Sequence, residues 1–408
     1  MQEKTNTKDT TNNLNIFSKP LVYVLLAAPF ENDTRVKQEV MTLNENNFYT
    51  YTLSWDREGK FKDKETSNNF VKYVKLLTSL KFNKILFLLS AIFFQFVIFF
   101  NGTRLLKKWH KMIIHANDFN TLFGVFMLNV VFSKRIKIVY DCHELTPAVY
   151  SEWYGYFIGS IMGKIEQKMV SMFDSILTVS PPIMKHLSKI SGKKVNLIWN
   201  YPTKKILPNK SKEEARKLLN LSIEQFIVVY VGTLRSDIAL DSLIDAIAEI
   251  RNQKSLEEKL IKVVIVGDGP LYQSLIKKTE DYNLNGMIEI IGRVNRKKSL
   301  DYIRAADLSY ILFTVKGLNT KIGMPWKLFE SLASETQVVV VDDTYAAGFI
   351  RKYNAGYVIS NITPQKISEL LLKMIKENKQ SEFKLVNNFL WESQEEAFLT
   401  IYNGLNAS

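Results

Sequence analysis

Short, unbroken apolar runs alternate with longer polar or amphipathic stretches along most of the chain. LVYVLLAAP, from Leu21, stops at Pro29 and gives way to ENDTRVKQEVMTL, the pattern of a parallel strand buried on both faces that feeds a helix. FYTYTLSW, KMIIHAND, KIVYDCHE, DSILTVS and VNLIWN repeat it. After the proline- and lysine-rich YPTKKILPNKSKEE the pattern starts again with FIVVYVGTL, KVVIVGDGP, MIEIIGRV, SYILFTV and TQVVVVDD. The stretches between them, among them LDSLIDAIAEI, LYQSLIKKTEDY and PWKLFESLAS, have helical spacing. Two open, doubly wound α/β sheets joined by a linker are therefore expected. In such sheets ligands lie beyond the carboxyl ends of the strands, so chemistry is expected in the loops after Pro29, His115, His143, Gly232, Gly267 and Gly292.

One segment does not fit a half-buried helix. ILFLLSAIFFQFVIFF, Ile85 to Phe100, is apolar on every helical face and is bracketed by Lys81, Lys84, Arg104, Lys107, Lys108 and Lys111. It is short of the roughly 20 apolar residues that a spanning helix needs. Its aromatic content and flanking cations favour a helix lying in the interface of an anionic membrane; a buried core helix is the alternative.

Composition narrows the class. The chain has 408 residues, 46% of them hydrophobic and 23% charged, which suits a globular protein of more than one folding unit. A single cysteine, Cys142, excludes an intrachain disulfide framework and a cysteine-built zinc site, and fits a reducing, cytoplasmic setting. The four histidines, His110, His115, His143 and His186, lack the helical pairing of a histidine metal site, so no structural metal is expected. A formal charge of +13 favours an anionic partner. Nucleic acid is disfavoured, because the lysines are spread along the chain and gather mainly around the apolar segment. Met1 to Ser18 are polar and lack the apolar core of a secretory signal.

Within the strand-end loops, GDGP at Gly267 to Pro270 combines backbone permissiveness with the start of a helix, a weak signal for anion binding and equally a tight turn. The longer dinucleotide fingerprint is not met, which argues against a nicotinamide or flavin cofactor. In PWKLFESLA, Lys327 and Glu330 lie three apart on one helix face just after Pro325. There a carboxylate can accept two hydrogen bonds from a ribose diol, and an ammonium suits a diphosphate.

Taken in order, NDTRVKQEV, HANDFNTL, VYDCHE, LTVSPPI, WNYP, VVYVGTL, VVIVGDGP, IIGRV, AADLSYI, PWKLFESLA and the closing NNFLWESQEEAFLTIYNGL resemble glycosyltransferase family 4, the group 1 enzymes of the GT-B type. The resemblance runs from about Leu21 to the C-terminus. It implies two Rossmann-like domains facing across a cleft, with a C-terminal helix crossing back to the first. The expected division is a leader over 1–19, an acceptor- and membrane-facing domain over 20–203, a nucleotide-sugar domain over 204–375 and the crossover helix over 376–408.

The resemblance also implies roles. Glu330 matches the second glutamate of the family's paired-glutamate motif, which holds the nucleotide ribose; Ile322 stands where the first would be, and Asn319 with the loop Thr320 to Met324 takes over through backbone groups. Thr233 and Ile238 occupy the places of the diphosphate-clamping arginine and lysine, leaving Arg235 as the nearest cation. Gly232, Gly267, Gly269, Arg293, Asn319, Lys327 and Glu330 complete the expected donor side with Arg235. His143 matches the histidine that contacts the donor sugar, and can hydrogen-bond a hydroxyl or share a proton. Asn32, Asp33, Arg35, His115, Asp118 and Glu144 form the expected acceptor side, with helix capping by Asn32 or Asp33 as the alternative for that pair. The implied activity is retaining, metal-independent transfer of a sugar from a nucleotide donor to a membrane-proximal, lipid-linked acceptor. The competing reading is a non-catalytic GT-B subunit that binds membrane and a partner.

Overall fold

The structure is a computed structural model that describes residues 19–76, 84–253, 260–377 and 389–407. The expected leader, apart from Lys19, and Lys81 of the cationic flank lie outside the described residues. Contacts divide the chain into two units, the first running through Trp199 and taking in Gln394 onward, the second Asn200–Ser393.

The first unit contains strands β1 (Leu21–Leu26), β2 (Tyr49–Asp56), β3 (Lys64–Glu65), β4 (Asn69–Lys75), β5 (Met112–Asn117), β6 (Ile136–Cys142), β7 (Ser175–Thr178) and β8 (Val195–Leu197). Its helices are α1 (Thr34–Glu45), α2 (Lys84–Lys108), α3 (Leu122–Phe132), α4 (Thr146–Tyr154), α5 (Tyr156–Met169) and α6 (Pro181–Ser191). The sheet order is β3-β4-β2-β1-β5-β6-β7-β8, parallel except for β3. The apolar runs became strands because both of their faces are covered; all six residues of β1 are buried.

The second unit contains β9 (Phe226–Val231), β10 (Ile261–Val266), β11 (Ile288–Ile291), β12 (Leu308–Ile311), β13 (Gln337–Val341) and β14 (Gly356–Ile359), in the order β11-β10-β9-β12-β13-β14 and all parallel. Its helices are α7 (Lys212–Leu218), α8 (Leu240–Asn252), α9 (Tyr272–Asp281), α10 (Arg296–Ala305), α11 (Leu318–Ile322), α12 (Trp326–Ala333), α13 (Tyr345–Tyr353) and α14 (Pro364–Glu377). In both sheets the strand order reverses beside the first strand, between β1 and β5 and between β9 and β12. Those are the switch points where a crevice opens.

The last helix, α15 (Glu395–Ala407), belongs to the first unit. The return starts at Gln394, later than the expected 376, because Ile367, Leu371 and Met374 of α14 are buried in the second unit's core against α8.

α2 is buried along one face and exposed along the other, so it is not wholly a core helix. Its inner face packs on the sheet: Phe94 and Ile98 are fully buried, Trp55 stacks on Phe87 and Phe94, and the Tyr23 hydroxyl donates to the Ile98 carbonyl at 3.1 Å. Gly124 of α3 lets the two helices close, since a Cβ there would come within 2.6 Å of Ile98. The outer face carries Ile85, Leu88, Ile92, Phe93, Phe96 and Phe100, all exposed. The helix is long and apolar enough to cross a membrane, yet its inner face is committed to the sheet.

Candidate functional site

In the first unit the site is built where β1, β5 and β6 end. The β5–β6 register sets Asn117 beside Asp141, and the two-residue period of a strand puts His115 on the same face. Asp33 caps α1 by accepting from the Val36 amide at 3.0 Å, which is the capping role weighed for it, and this starts the helix so that Arg35 and Glu39, one turn apart, both point inward. Asn32 is exposed on the preceding turn. Arg35 Nη2 donates to both Asp141 oxygens, at 3.1 and 2.9 Å, and its Nη1 donates to the Ile198 carbonyl at 2.8 Å. This charge-assisted fork is fully enclosed.

His143 follows β6, with its Nε2 at 3.0 Å from Asp141 Oδ2 and its Nδ1 at 3.6 Å from Asp118 Oδ2. The His143 amide donates to Asp118 Oδ1 at 2.9 Å, and the Asp118 amide donates to the Asp141 carbonyl at 2.9 Å. These two bonds hold Asp118 at φ +57°, a backbone conformation that is strained for a residue other than glycine. Burial works against charge on the ring, but Asp141 and Asp118 outweigh it and raise the His143 pKa to about 10. At neutral pH His143 is therefore an imidazolium. It can donate a hydrogen bond, with Asp141 and the Arg35 Nε, 3.1 Å away, both at its Nε2 and Asp118 near its Nδ1.

His115 is 1% exposed, and its expected place on the acceptor side is corrected by that burial. Its Nδ1 is hydrogen-bonded to the hydroxyl of Tyr402 from α15, on which the ring also stacks. Its Nε2 lies 3.5 Å from Glu39 Oε2 and 3.7 Å from Asp141 Oδ2. Glu39 is buried, with its Oε1 ion-paired to the Arg35 Nε at 3.1 Å, and burial pushes its pKa up to about 7, against the pull of Arg35. Sequence reasoning passed over Glu39 and Tyr402. The signal for Glu39 was its position four after Arg35; for Tyr402 there was none. The groups that reach solvent here are His143, Asp118 and the exposed Glu144.

Glu39, His115 and Asp141 converge within 4.8 Å, the one trio with metal-ligand chemistry among the described residues. The guanidinium of Arg35 and the imidazolium of His143 already occupy the Asp141 oxygens. A divalent ion would have to displace them.

In the second unit the site lies at the β9/β12 switch. A Cβ at Gly267 would sit 1.9 Å from the Gly232 carbonyl oxygen, and one at Gly269 would sit 2.5 Å from that of Leu234. These two glycines are fixed by loop packing within the unit, a structural reason that does not require a donor. Gly232, at φ +151°, instead leaves room for Lys327, whose Nζ would lie 2.9 Å from a Cβ there. The Lys327 ammonium lies over the Tyr230 ring, 4.5 Å from its centroid, and burial together with Arg235 pushes its pKa down to about 8.

Glu330 shares that face of α12 and is buried, which raises its pKa; it is ion-paired with Arg296, a residue sequence reasoning missed. Arg235 is exposed and its guanidinium forks onto Asp237 at 3.0 and 2.7 Å. Arg293 is exposed and ion-paired with no acidic group among the described residues. Asn319 is half-buried in α11, where its carbonyl accepts from the Gly323 amide at 3.0 Å. Lys327 and Glu330 thus share one turn of α12, with Lys327 against Gly232 and Glu330 against Arg296, while Arg235 pairs with Asp237.

The family model of glycosyl transferases group 1 matches residues 211–388, nearly all of the second unit. Among curated proteins, TuaC of Bacillus subtilis (strain 168), whose name assigns it to teichuronic acid biosynthesis as a glycosyltransferase, is 31% identical over 177 residues, 43% of this chain and 36% of TuaC. Among solved structures, sucrose-phosphate synthase from Thermosynechococcus elongatus superposes with a TM-score of 0.75 over 95% of this chain and 100% of its own, at 15% identity. HepE of Anabaena in complex with UDP-glucose superposes with a TM-score of 0.64 over 95% of this chain and 100% of its own, at 13% identity. The two-sheet GT-B architecture is shared along almost the whole chain with these solved structures, and the match to the group 1 glycosyl transferases lies in its second unit.

Proposed function

We propose that the protein transfers a sugar, with retention of configuration, from a nucleotide sugar to a membrane-proximal, lipid-linked acceptor in glycan or glycoconjugate assembly. The observation that carries the donor half is the placing of Lys327 and Glu330 on one turn of α12, with Lys327 against Gly232, at the switch point of the second sheet. Glu330 accepts hydrogen bonds from the ribose diol. Lys327 and the first-turn amides of α12 meet the charge of the leaving diphosphate, so the reading needs no metal. HepE, which binds UDP-glucose, supports a donor of this chemical class.

On the acceptor side, Asp118 and the His143 imidazolium offer an acceptor and a donor to sugar hydroxyls. The exposed apolar face of α2 and the cations Arg104, Lys107, Lys108 and Lys111 support peripheral attachment to an anionic membrane, on its cytoplasmic face. The test is release of nucleoside diphosphate from a panel of nucleotide sugars in the presence of membranes. His143→Ala should lower turnover by a factor on the order of 100 while leaving UDP binding near normal. UDP binding without turnover on any donor would instead favour the non-catalytic subunit.

A further inference from the structure

Sixteen of the twenty-two exposed large apolar side chains among the described residues lie between Ile85 and Phe157, so the apolar surface is concentrated on the first unit's α2, α3, α4 and α5. α2 accounts for half of them; the α4–α5 turn is a separate feature that its pattern did not announce. In the five residues Trp153 to Phe157, four exposed aromatic rings flank Gly155: Trp153 at 60%, Tyr154 at 46%, Tyr156 at 84% and Phe157 at 74%. Gly155 has φ +91°, and a Cβ built there meets nothing within 4 Å, so the turn stands clear of its surroundings. Below the rings, α5 exposes Lys164 and Lys168, about two and three turns further along the side that carries Phe157. Glu152 is also exposed at the tip, and the two lysines outweigh it.

We propose that this turn inserts its aromatic rings into the interfacial layer of an anionic lipid leaflet, as a second membrane contact next to the outer face of α2. The proposal rests on the peripheral-membrane reading above and extends it to a specific structural element. Amphipathic rings at a tip with cations behind them match the headgroup boundary, where Trp and Tyr are enriched and nearby basic residues are drawn to anionic lipid. A second copy of the chain is the poorer occupant. A symmetric contact would set the exposed Lys164 and Lys168 of one copy against those of the other, whereas an anionic leaflet complements them.

The turn is also tied to the site. Tyr150 of α4 stacks on Tyr154 and meets Phe119 edge-on, and Phe119 directly follows Asp118. The Tyr150 hydroxyl donates to Asn120 Oδ1 at 2.6 Å. Insertion of the turn would thus place the loop that carries Asp118, to which the His143 amide donates, at the leaflet surface, where a lipid-linked acceptor presents its headgroup.

The test uses the full chain with vesicles of phosphatidylcholine, with and without phosphatidylglycerol. In the parent, acyl-chain-brominated lipid should quench Trp153, measured as the emission lost in Trp153→Phe. Tyr156→Ser with Phe157→Ser, both at exposed positions, should weaken flotation with the anionic vesicles at least tenfold while UDP affinity stays at the parental value. Phe93→Ser with Phe100→Ser on α2 runs in parallel. Loss of flotation in the α2 variant alone, with Trp153 unquenched, overturns the turn's role and leaves the membrane reading standing. A parent that floats with neither vesicle overturns both. A dimer by light scattering that the turn variant dissociates overturns the lipid in favour of a second copy.

Discussion

Two cations stand at the two strand-end sites, and their surroundings move them in opposite directions. His143, in the first unit, faces Asp141 and Asp118, which outweigh burial and hold its pKa at about 10. Lys327, in the second, is dominated by burial with Arg235 adding to it, and its pKa falls to about 8 because Glu330 and Asp237 do not make up the difference. Glu330 is itself engaged by Arg296. Both side chains lose water; what differs is how many carboxylates are left to face them. The first site is thus a closed set of opposed charges that fixes a hydrogen-bond donor in place. The second keeps a cation short of compensation, and an incoming anion would supply what it lacks.

The comparison breaks most visibly if the first site's charges are unbalanced. Arg35→Met should destabilise the first unit by about 3–5 kcal/mol, because Asp141 would stay buried without its guanidinium partner. Urea unfolding would show this, and a loss below about 1 kcal/mol would mean that the charges are not sealed as described. The same type of change at Arg235, whose pair with Asp237 is solvent-exposed, should cost well under about 1 kcal/mol.

Glu330→Gln sharpens the other half. It keeps the side chain's size but replaces a charged acceptor, so affinity for UDP, measured by calorimetry, should fall by about 1.5–3 kcal/mol. Arg296 would have to yield the carboxylate or share it with the ribose. Unaltered UDP binding in the variant would remove α12 from the donor site.

What could be read from the sequence followed the same line. Strands with both faces covered are continuous apolar runs and were visible, as were the loops they feed. β4 was not, because NFVKYVK alternates and lies next to the sheet's edge strand; β14, at the other sheet's edge, is only four residues long. Lys327 and Glu330 were visible because a three-residue spacing on a helix is a local fact. Glu39 was not, since a glutamate inside KQEV looks like an ordinary solvated helix position until its burial is known. Tyr402 reaches His115 across 287 residues and Arg296 reaches Glu330 across 34, and no local pattern announces either meeting. The sequence also led to His143 as a strand-end group able to hydrogen-bond a hydroxyl or share a proton, but its charge was not legible, because the two carboxylates that fix it were not placed around it.

The smallest expected effect separates a fixed cation from a poised one. Lys327 without ligand titrates at about 8, and a bound diphosphate beside its ammonium would raise that value. Binding then takes up protons near and above pH 8, and linkage sets the sign: UDP affinity is greatest below pH 8 and falls above it. The fall is at most tenfold per pH unit, so between pH 7 and pH 9 the loss should stay within about 1.4 kcal/mol. His143 contributes no slope in that window, because its pKa of about 10 keeps the ring charged throughout. Lys327→Arg keeps the charge at every accessible pH and should flatten the profile; Lys327→Gln should flatten it too, at a lower affinity. Calorimetry with UDP in two buffers of different ionisation enthalpy, at pH 7, 8 and 9, reads both the affinity and the protons taken up. A parent profile as flat as that of Lys327→Arg, with no proton uptake, would show that the lysine does not meet the diphosphate.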